Sequence, residues 1–376
     1  MATGELIGSS VSSSQPAAAS ELPIRTNPEQ TTTVRTGDGA EFDIVATYHR
    51  LLAEDSDITM AVAAIEALIA LLGHTTSSTV METLDIVRAQ ADRLKRAVPN
   101  PIPLTAGTDL FQQYLLRSLK QPAGQRNLSS GGAAAESSSS SNSFDDTRQH
   151  LLRNSRLFAS RAKAARDAIA VRASRYVHAG STVLTSGGSR TVKALLLRAA
   201  ARHADANGSP DFRVVYVMDG SRDSDPAVRA LRAAGVPVAA VGVEAVAHVL
   251  RAGAVDMVFA GTEAVTQNGG VLSRMGTYQL ALLTRAAGKP LYVVAETHKF
   301  VRLYPLGQSD LPRCGVAQDV LDFRTTDAEA KAEAATGKEA AIPVDYTPPD
   351  LITSIITEHG VKLPSSVYEM LLDIYT

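Results

Sequence analysis

One stretch, residues 255–312, alternates short apolar runs with polar loops in an order that few folds can accommodate. An apolar run at 255–260 is followed by a polar loop that contains Glu263. An amphipathic helix is predicted from about Gly276, and a second apolar run, 290–295, ends in another polar cluster. This order of strand, loop, helix, strand and loop indicates an open parallel sheet, in which ligands bind beyond the carboxyl ends of the strands.

The same alternation of predicted strands and helices extends over the whole C-terminal half. We therefore predict a doubly wound parallel sheet within an α/β domain at 179–376. Residues 320–342 are polar and rich in Ala, which indicates an exposed excursion. The tail that follows is expected to form two short helices with apolar faces. The predicted strands are 182–185, 212–218, 236–241, 255–260 and 291–295, and the predicted helices between them are 192–203, 225–234, 245–252 and 277–287.

The N-terminal half has helical periodicity, and we predict a helical domain at 39–178. Residues 1–38 are rich in Ser, Thr, Ala and Pro and are expected to be a disordered tail. The low-complexity stretch 121–143 is expected to be a mobile insertion. Gly73 is interpreted as the C-cap of the first well-defined helix. The predicted helices are 57–72, 76–98, 108–120 and a long basic helix at about 145–178 that joins the two halves.

Composition narrows the class of protein. The net charge of −2 gives no reason to expect direct nucleic-acid binding. A single cysteine, Cys314, excludes an internal disulfide and fits a reducing compartment. The N-terminus does not resemble a secretory signal, and no apolar run approaches the length of a membrane span. We therefore expect a soluble cytosolic protein without a membrane partner.

The loop after the first predicted strand could hold an anion. Gly187 and Gly188 would let backbone N–H groups approach a phosphate at the start of the next helix. Ser189 and Arg190 add a hydroxyl and a fixed positive charge. Taken alone, the pattern favours an ordinary strand-to-helix turn with an N-cap serine and a surface arginine.

Polar clusters after the fourth and fifth predicted strands should lie at the same edge of the sheet. After the fourth strand, a carboxylate and an amide suit sugar hydroxyls, although these residues could simply cap their loop. After the fifth strand, Lys299 could simply pair with Glu296. Three clusters that converge on one edge favour a ligand site. The predicted ligand-binding residues are Gly187, Gly188, Ser189, Arg190, Glu263, Asn268, Gly269, Gly270, Gly276, Thr277, Glu296 and Lys299.

Other site chemistries are not indicated. Neither a Gly-x-Gly-x-x-Gly fingerprint between strand and helix nor a GxxxxGK[ST] loop is present. The histidines lack the spacing of metal ligands, and one cysteine cannot build a typical zinc site. We therefore expect no metal, no cofactor and no catalytic residue.

Three segments carry a family resemblance: 258–312 (with AETHKFVRLYPLGQSDLP at its end), 57–72 (DITMAVAAIEALIALL) and 344–353 (VDYTPPDLIT). They resemble the regulatory subunits of eukaryotic translation initiation factor 2B, the guanine-nucleotide exchange factor for initiation factor two, and its alpha subunits in particular. These subunits are homologous to isomerases that act on methylthioribose-1-phosphate and ribose-1,5-bisphosphate.

The resemblance implies a helical N-terminal domain followed by a Rossmann-like domain. It also implies a homodimer that bridges beta–delta and gamma–epsilon modules into a decamer, while the epsilon subunit performs nucleotide exchange. The helical domain would help to sense initiation factor two through its phosphorylated alpha subunit. A sugar phosphate or nucleoside monophosphate would be the small-molecule ligand.

Whether such a chain catalyses a reaction depends on two positions. The resemblance places the isomerases' cysteine at Gly187 and their aspartate at Glu263. Ser273 and Arg274 stand where relatives usually carry Asn-Lys. The resemblance therefore implies that the pocket is retained but that the isomerases' pair of proton-transfer residues is lost. The alternatives are an active sugar-phosphate isomerase that uses Glu263, and a structural scaffold whose pocket is vestigial.

Overall fold

The computed structural model describes residues 42–55, 57–75, 79–120, 140–204, 210–218, 224–316, 318, 320–321 and 343–375. All of them belong to one compact unit, Val34–Thr376. The predicted N-terminal tail, residues 1–38, lies outside the described residues. So do nearly all of the predicted insertion at 121–143 and of the predicted excursion at 320–342.

Five helices form the N-terminal part of the described chain. Asp43, Thr59 and Thr79 begin the first three, because each side chain accepts a hydrogen bond from a backbone N–H of the first turn. A core of buried aliphatic and aromatic side chains, centred on Leu68 and Phe111, joins them. The helices are α1 (Ile44–Glu54), α2 (Met60–His74), α3 (Val80–Ala97), α4 (Ile102–Lys120) and α5 (Ser140–Ala173).

Several predicted helix boundaries in this part were wrong. Gly73 lies inside α2 and is not its C-cap, because the helix continues to His74 and Thr75 follows in extended conformation. Helix α4 begins at Ile102 instead of 108, since a proline at the second helical position needs no hydrogen-bond partner there. Helix α5 covers 140–173, about five residues earlier than predicted at each end.

The C-terminal part confirms the predicted α/β fold with a mainly parallel sheet. Seven strands lie in the order β11-β10-β7-β4-β1-β2-β3, where β10 is Ser354–Thr357 and β11 is Gly360–Lys362. Only β11 is antiparallel to its neighbour. The five predicted strands and four predicted helices all form within two residues of their expected bounds. They are β1 (Thr182–Ser186), α6 (Arg190–His203), β2 (Arg213–Met218), α7 (Asp225–Ala233), β3 (Val238–Gly242), α8 (Val246–Arg251), β4 (Met257–Gly261), α9 (Thr277–Ala286) and β7 (Leu291–Val294).

A second, four-stranded sheet was not predicted. Its order is β8-β5-β6-β9, and α4 packs on it through Ile102 and Ala106. A hairpin joins β5 and β6, which are short and follow β4 directly. The strands are β5 (Ala264–Thr266), β6 (Val271–Arg274), β8 (Phe300–Val301) and β9 (Val344–Thr347).

The predicted pair of helices in the tail was wrong in part. The tail forms β9, β10 (Ser354–Thr357), β11 (Gly360–Lys362) and a single α-helix, α10 (Val367–Tyr375). The spacing of the apolar residues here is that of a helical face, with Ile352, Ile355 and Ile356 at i, i+3 and i+4. Their β-branched side chains suit a strand better, and β10 pairs with the open edge of β7. The division of the chain into domains at 178/179 stays a prediction.

Helices α2 and α4 cross so closely that Gly107 leaves no room for a methyl group. A Cβ at this position would lie 2.7 Å from the Ala61 carbonyl oxygen, whereas a Cβ at Gly73 would meet no atom within 4 Å. We expect Gly107→Ala to lower the free energy of unfolding by about 1–3 kcal/mol.

The matched control, Gly73→Ala, should raise the free energy of unfolding by about 0.5–1 kcal/mol, since alanine is a better helix former than glycine. Urea unfolding followed by circular dichroism measures both changes. Equal effects of the two variants would contradict the close crossing.

Candidate functional site

A cavity of about 690 Å³ lies at the carboxyl edge of the large sheet. Its walls come from both parts of the chain: Asp57, Thr59 and Arg166 from the helical part, and the loops after β1 and β4 from the sheet. Five cationic side chains and two carboxylates are among its described lining residues, so the cavity favours an anion. These charged residues are Arg166, Arg190, Lys193, Arg274, Lys299, Asp57 and Glu263.

The loop after β1 is shaped to bring backbone close to a ligand. Gly187 has φ +69°, a left-handed conformation that favours glycine, and its carbonyl oxygen accepts a hydrogen bond from the Tyr216 hydroxyl. Ser189 is the N-cap of α6, and its Oγ accepts a hydrogen bond from Val192 N at 3.3 Å. Gly187, Gly188, Ser189 and Arg190 all line the cavity at the positive end of this helix.

Arg190 ties this loop to the helical part of the chain. Its Nη1 donates to the Ile58 carbonyl oxygen at 2.6 Å, and Arg166 Nη2 donates to the neighbouring Asp57 carbonyl oxygen at 2.6 Å. Burial, and then the nearby Arg166, lower the pKa of Arg190. An arginine still stays cationic at neutral pH, so Arg190 presents a fixed positive charge to the cavity.

Glu263 lies where the chain leaves β4 and lines the cavity. Burial raises the pKa of this carboxyl group, although the charges of Lys299 and Arg274 and a hydrogen bond from Asn100 act in the opposite direction. Asn100 Nδ2 donates to Glu263 Oε2 at 2.7 Å. Asn100 precedes α4 and was not predicted, because no local pattern links it to a residue so far along the chain.

Glu296 does not line the cavity but positions a residue that does. Its side chain is only 1% exposed; Oε1 accepts from Thr191 Oγ1 at 2.7 Å and Oε2 pairs with Lys299 Nζ at 2.8 Å. Burial alone would raise the pKa of Glu296, but Lys299, His298 and these contacts outweigh it and hold the pKa well below its usual range. Lys299 Nζ also donates to the Thr262 carbonyl oxygen at 3.0 Å.

His298 lies in the same buried cluster. Burial lowers its pKa to about 4, and Glu296 only partly offsets this effect, so the ring is neutral at physiological pH. Its Nε2 lies 3.4 Å from Oγ1 of Thr59, the N-cap of α2. His298 therefore joins the sheet edge to the helical part without adding a charge.

Asn268, Gly269 and Gly270 are not among the described residues that line the cavity. They form the turn between β5 and β6, where Asn268 Nδ2 donates to the Tyr346 hydroxyl at 2.8 Å and to the Pro305 carbonyl oxygen at 2.7 Å. The structure thus gives these three residues a place in the small sheet. A role in ligand binding stays a prediction for them, as it does for the residues that line the cavity.

Gly276 and Thr277 line the cavity at the start of α9, but Asp345 already occupies this helix terminus. Asp345 Oδ2 accepts from Gly276 N at 2.7 Å and from Tyr278 N at 3.0 Å. Burial raises the pKa of Asp345 to about 6 despite these hydrogen bonds. Because a carboxylate holds the positive end of α9, the start of α6 is the better place for an anionic ligand.

The described residues hold no group of three or more His, Cys, Asp or Glu side chains arranged for a metal ion. Cys314 is not among the described residues that line the cavity, and burial followed by the charge of Asp310 raises the pKa of its thiol. It therefore does not replace the side chain that Gly187 lacks. Within the same part of the chain, no helix combines the length and apolar character needed to cross a bilayer.

Residues 53–364 match the family described as the initiation factor 2 subunit family. The chain belongs to this family. It is 28% identical over 344 residues to the alpha subunit of translation initiation factor eIF2B from Dictyostelium discoideum, covering 90% of this chain and 99% of that subunit. A methylthioribose-1-phosphate isomerase from Exiguobacterium sibiricum is 36% identical over 139 residues, 35% of this chain and 36% of the enzyme.

The fold is also found among solved eIF2B subunits. A chain of the tetrameric eIF2B beta–delta complex from Chaetomium thermophilum superimposes with a TM-score of 0.61 and 20% identity, covering 89% of this chain and 96% of that one. This likeness confirms the predicted fold, and the match over residues 53–364 confirms the predicted family.

Gly261 brings the end of β4 against Ser189. A Cβ at Gly261 would lie 2.2 Å from Ser189 Oγ and 2.4 Å from Ser189 Cβ. We expect Gly261→Ala to displace the N-cap of α6 and to lower the free energy of unfolding by about 1–3 kcal/mol.

Ser189→Gly alone should cost only a few tenths of a kcal/mol, about what replacing an N-cap serine by glycine costs. In the Ser189→Gly background the cost of Gly261→Ala should largely disappear. A double-mutant cycle from chemical denaturation measures this, and additive effects would contradict the steric explanation.

Proposed function

We propose that this chain is a non-catalytic regulatory subunit of the alpha type in the eIF2B guanine-nucleotide exchange factor. The observation that carries the proposal is the alignment with an eIF2B alpha subunit over 99% of that subunit's length. Gly187 supports it, because the position that the isomerase resemblance assigns to a cysteine has no side chain that could act as nucleophile or acid.

The proposal includes the assembly that the family resemblance implies. The chain would form a homodimer in the cytosol, join beta, delta, gamma and epsilon subunits in a decamer, and help to detect the phosphorylated alpha subunit of initiation factor two. The similarity to a chain from a beta–delta tetramer supports a fold that is compatible with such assembly.

We further propose that the cavity binds a sugar phosphate or a nucleoside monophosphate. The phosphate would lie at the start of α6, where Ser189 and Arg190 meet the helix dipole. Glu263 and Lys299, which also line the cavity, would hold hydroxyl groups of the ligand. The excess of cationic over carboxylate side chains supports an anionic ligand.

A sugar-phosphate isomerase is the second candidate. Glu263 favours it, since a carboxyl group whose pKa is raised by burial suits proton transfer. The missing side chain at Gly187 weighs against it. Turnover of ribose-1,5-bisphosphate or methylthioribose-1-phosphate by the purified chain would overturn the non-catalytic assignment.

Reconstitution tests the regulatory function. When the chain is mixed with eIF2B beta, delta, gamma and epsilon subunits, we expect one complex whose mass corresponds to a decamer, measured by light scattering. Exchange of GDP on initiation factor two should then become sensitive to phosphorylation of its alpha subunit. A chain that stays separate from the other four subunits would contradict the proposal.

Thermal denaturation tests the cavity. Ribose 5-phosphate or AMP at about 100 times its dissociation constant should stabilise the wild type by about 2.7 kcal/mol. Arg190→Ala should lose most of this effect, whereas Arg198→Ala, an exposed arginine on the same helix, should keep it. A wild type that is indifferent to every phosphate would support a vestigial pocket.

A further inference from the structure

The cavity is built on the seam between the helical part and the sheet. Two charged side chains of the cavity are each hydrogen-bonded to a residue of the helical part. Arg190 donates to the Ile58 carbonyl oxygen at 2.6 Å, and Glu263 accepts from Asn100 Nδ2 at 2.7 Å. A ligand that contacts Arg190 and Glu263 therefore touches groups whose position depends on the docking of the helices.

Asn100 makes the more specific of these two links. Its Oδ1 accepts from Ile102 N, the first residue of α4, at 3.2 Å, while its Nδ2 donates to Glu263. One planar amide thus begins a helix and orients a carboxylate on the cavity wall. Only an amide side chain has an acceptor and a donor in this arrangement, and an aspartate would keep the first contact and lose the second.

We propose that Asn100 is a positioning residue that couples occupancy of the cavity to the docking of α4 on the sheet. This inference rests on the proposed phosphate ligand. With Asn100 in place, Oε2 of Glu263 is fixed by this hydrogen bond, and the carboxyl group is oriented on the cavity wall. By reciprocity, a ligand that binds better when Glu263 is oriented also stabilises the start of α4.

The charges around Glu263 explain why the amide matters. Lys299 and Arg274 both act on the Glu263 carboxylate, and both line the cavity. If the Asn100 donor is lost, the carboxylate turns more fully to these cations, and less positive charge faces a ligand. The affinity for a phosphate ligand should therefore fall although Asn100 itself is not a lining residue of the described cavity.

The decisive variant is Asn100→Asp. It keeps an acceptor for Ile102 N but places a second carboxylate next to Glu263. We expect it to weaken ribose 5-phosphate binding by about tenfold or more in calorimetry. In hydrogen exchange, ribose 5-phosphate should slow the amides of residues 102–110 in the wild type but not in this variant.

The double variant Asn100→Asp with Glu263→Gln should recover part of both effects, because the glutamine amide can donate back to the aspartate. Thr79→Ala is the matched control: it removes the N-cap of α3, away from the cavity, and should leave ribose 5-phosphate affinity unchanged. Circular dichroism verifies that each variant is folded.

The outcomes separate the two proposals. Equal binding by the wild type and Asn100→Asp, or slowed exchange at 102–110 in both, overturns the coupling and leaves the cavity proposal intact. A wild type that binds neither ribose 5-phosphate nor inorganic phosphate overturns both. Loss of binding in Asn100→Asp without recovery in the double variant also overturns the coupling, since the effect would then not pass through Glu263.

Discussion

The carboxyl edge of the large sheet depends on one ion pair, between the buried Glu296 and the partly buried Lys299. The Glu296 carboxylate reaches Thr191 in α6, and the Lys299 ammonium reaches the Thr262 carbonyl oxygen after β4. The loops after β1, β4 and β7 are thus fixed to one another. Burying two charges carries a large desolvation cost, which is offset only when the geometry and the remaining hydrogen bonds are good. We infer that the pair fixes one arrangement of the edge more than it adds stability.

The helical part completes this edge through the starts of two helices. Thr59, the N-cap of α2, lies against His298, and Asn100, two residues before α4, holds Glu263. Helix N-termini carry unpaired N–H groups, so polar residues gather there in any case. Here the same residues also meet the polar side chains that follow β7 and β4. The cavity therefore exists only where both parts of the chain are docked.

Local patterns predicted most of the sheet and part of the site. Each parallel strand appears as an apolar run that ends in a polar loop, which places Gly187, Ser189 and Glu263 at one edge without further information. Asn268 followed the same rule but belongs to a hairpin, because β5 begins immediately after β4 and carries this loop away. The helical contribution, Asp57 and Asn100, was not predicted, since contacts between residues so distant in sequence leave no periodic signal.

The proposed function assigns binding, not catalysis, to the cavity. Ser189 and Arg190 offer donors and positive charge, and Glu263 offers a carboxylate whose pKa is raised by burial. The isomerase resemblance assigns the second group of a proton-transfer pair to position 187, and glycine supplies only backbone there. Because Arg190 and Glu263 are both hydrogen-bonded to the helical part, binding of the proposed ligand would stabilise the docking of the helices on the sheet. The proposed regulatory role requires such a coupling.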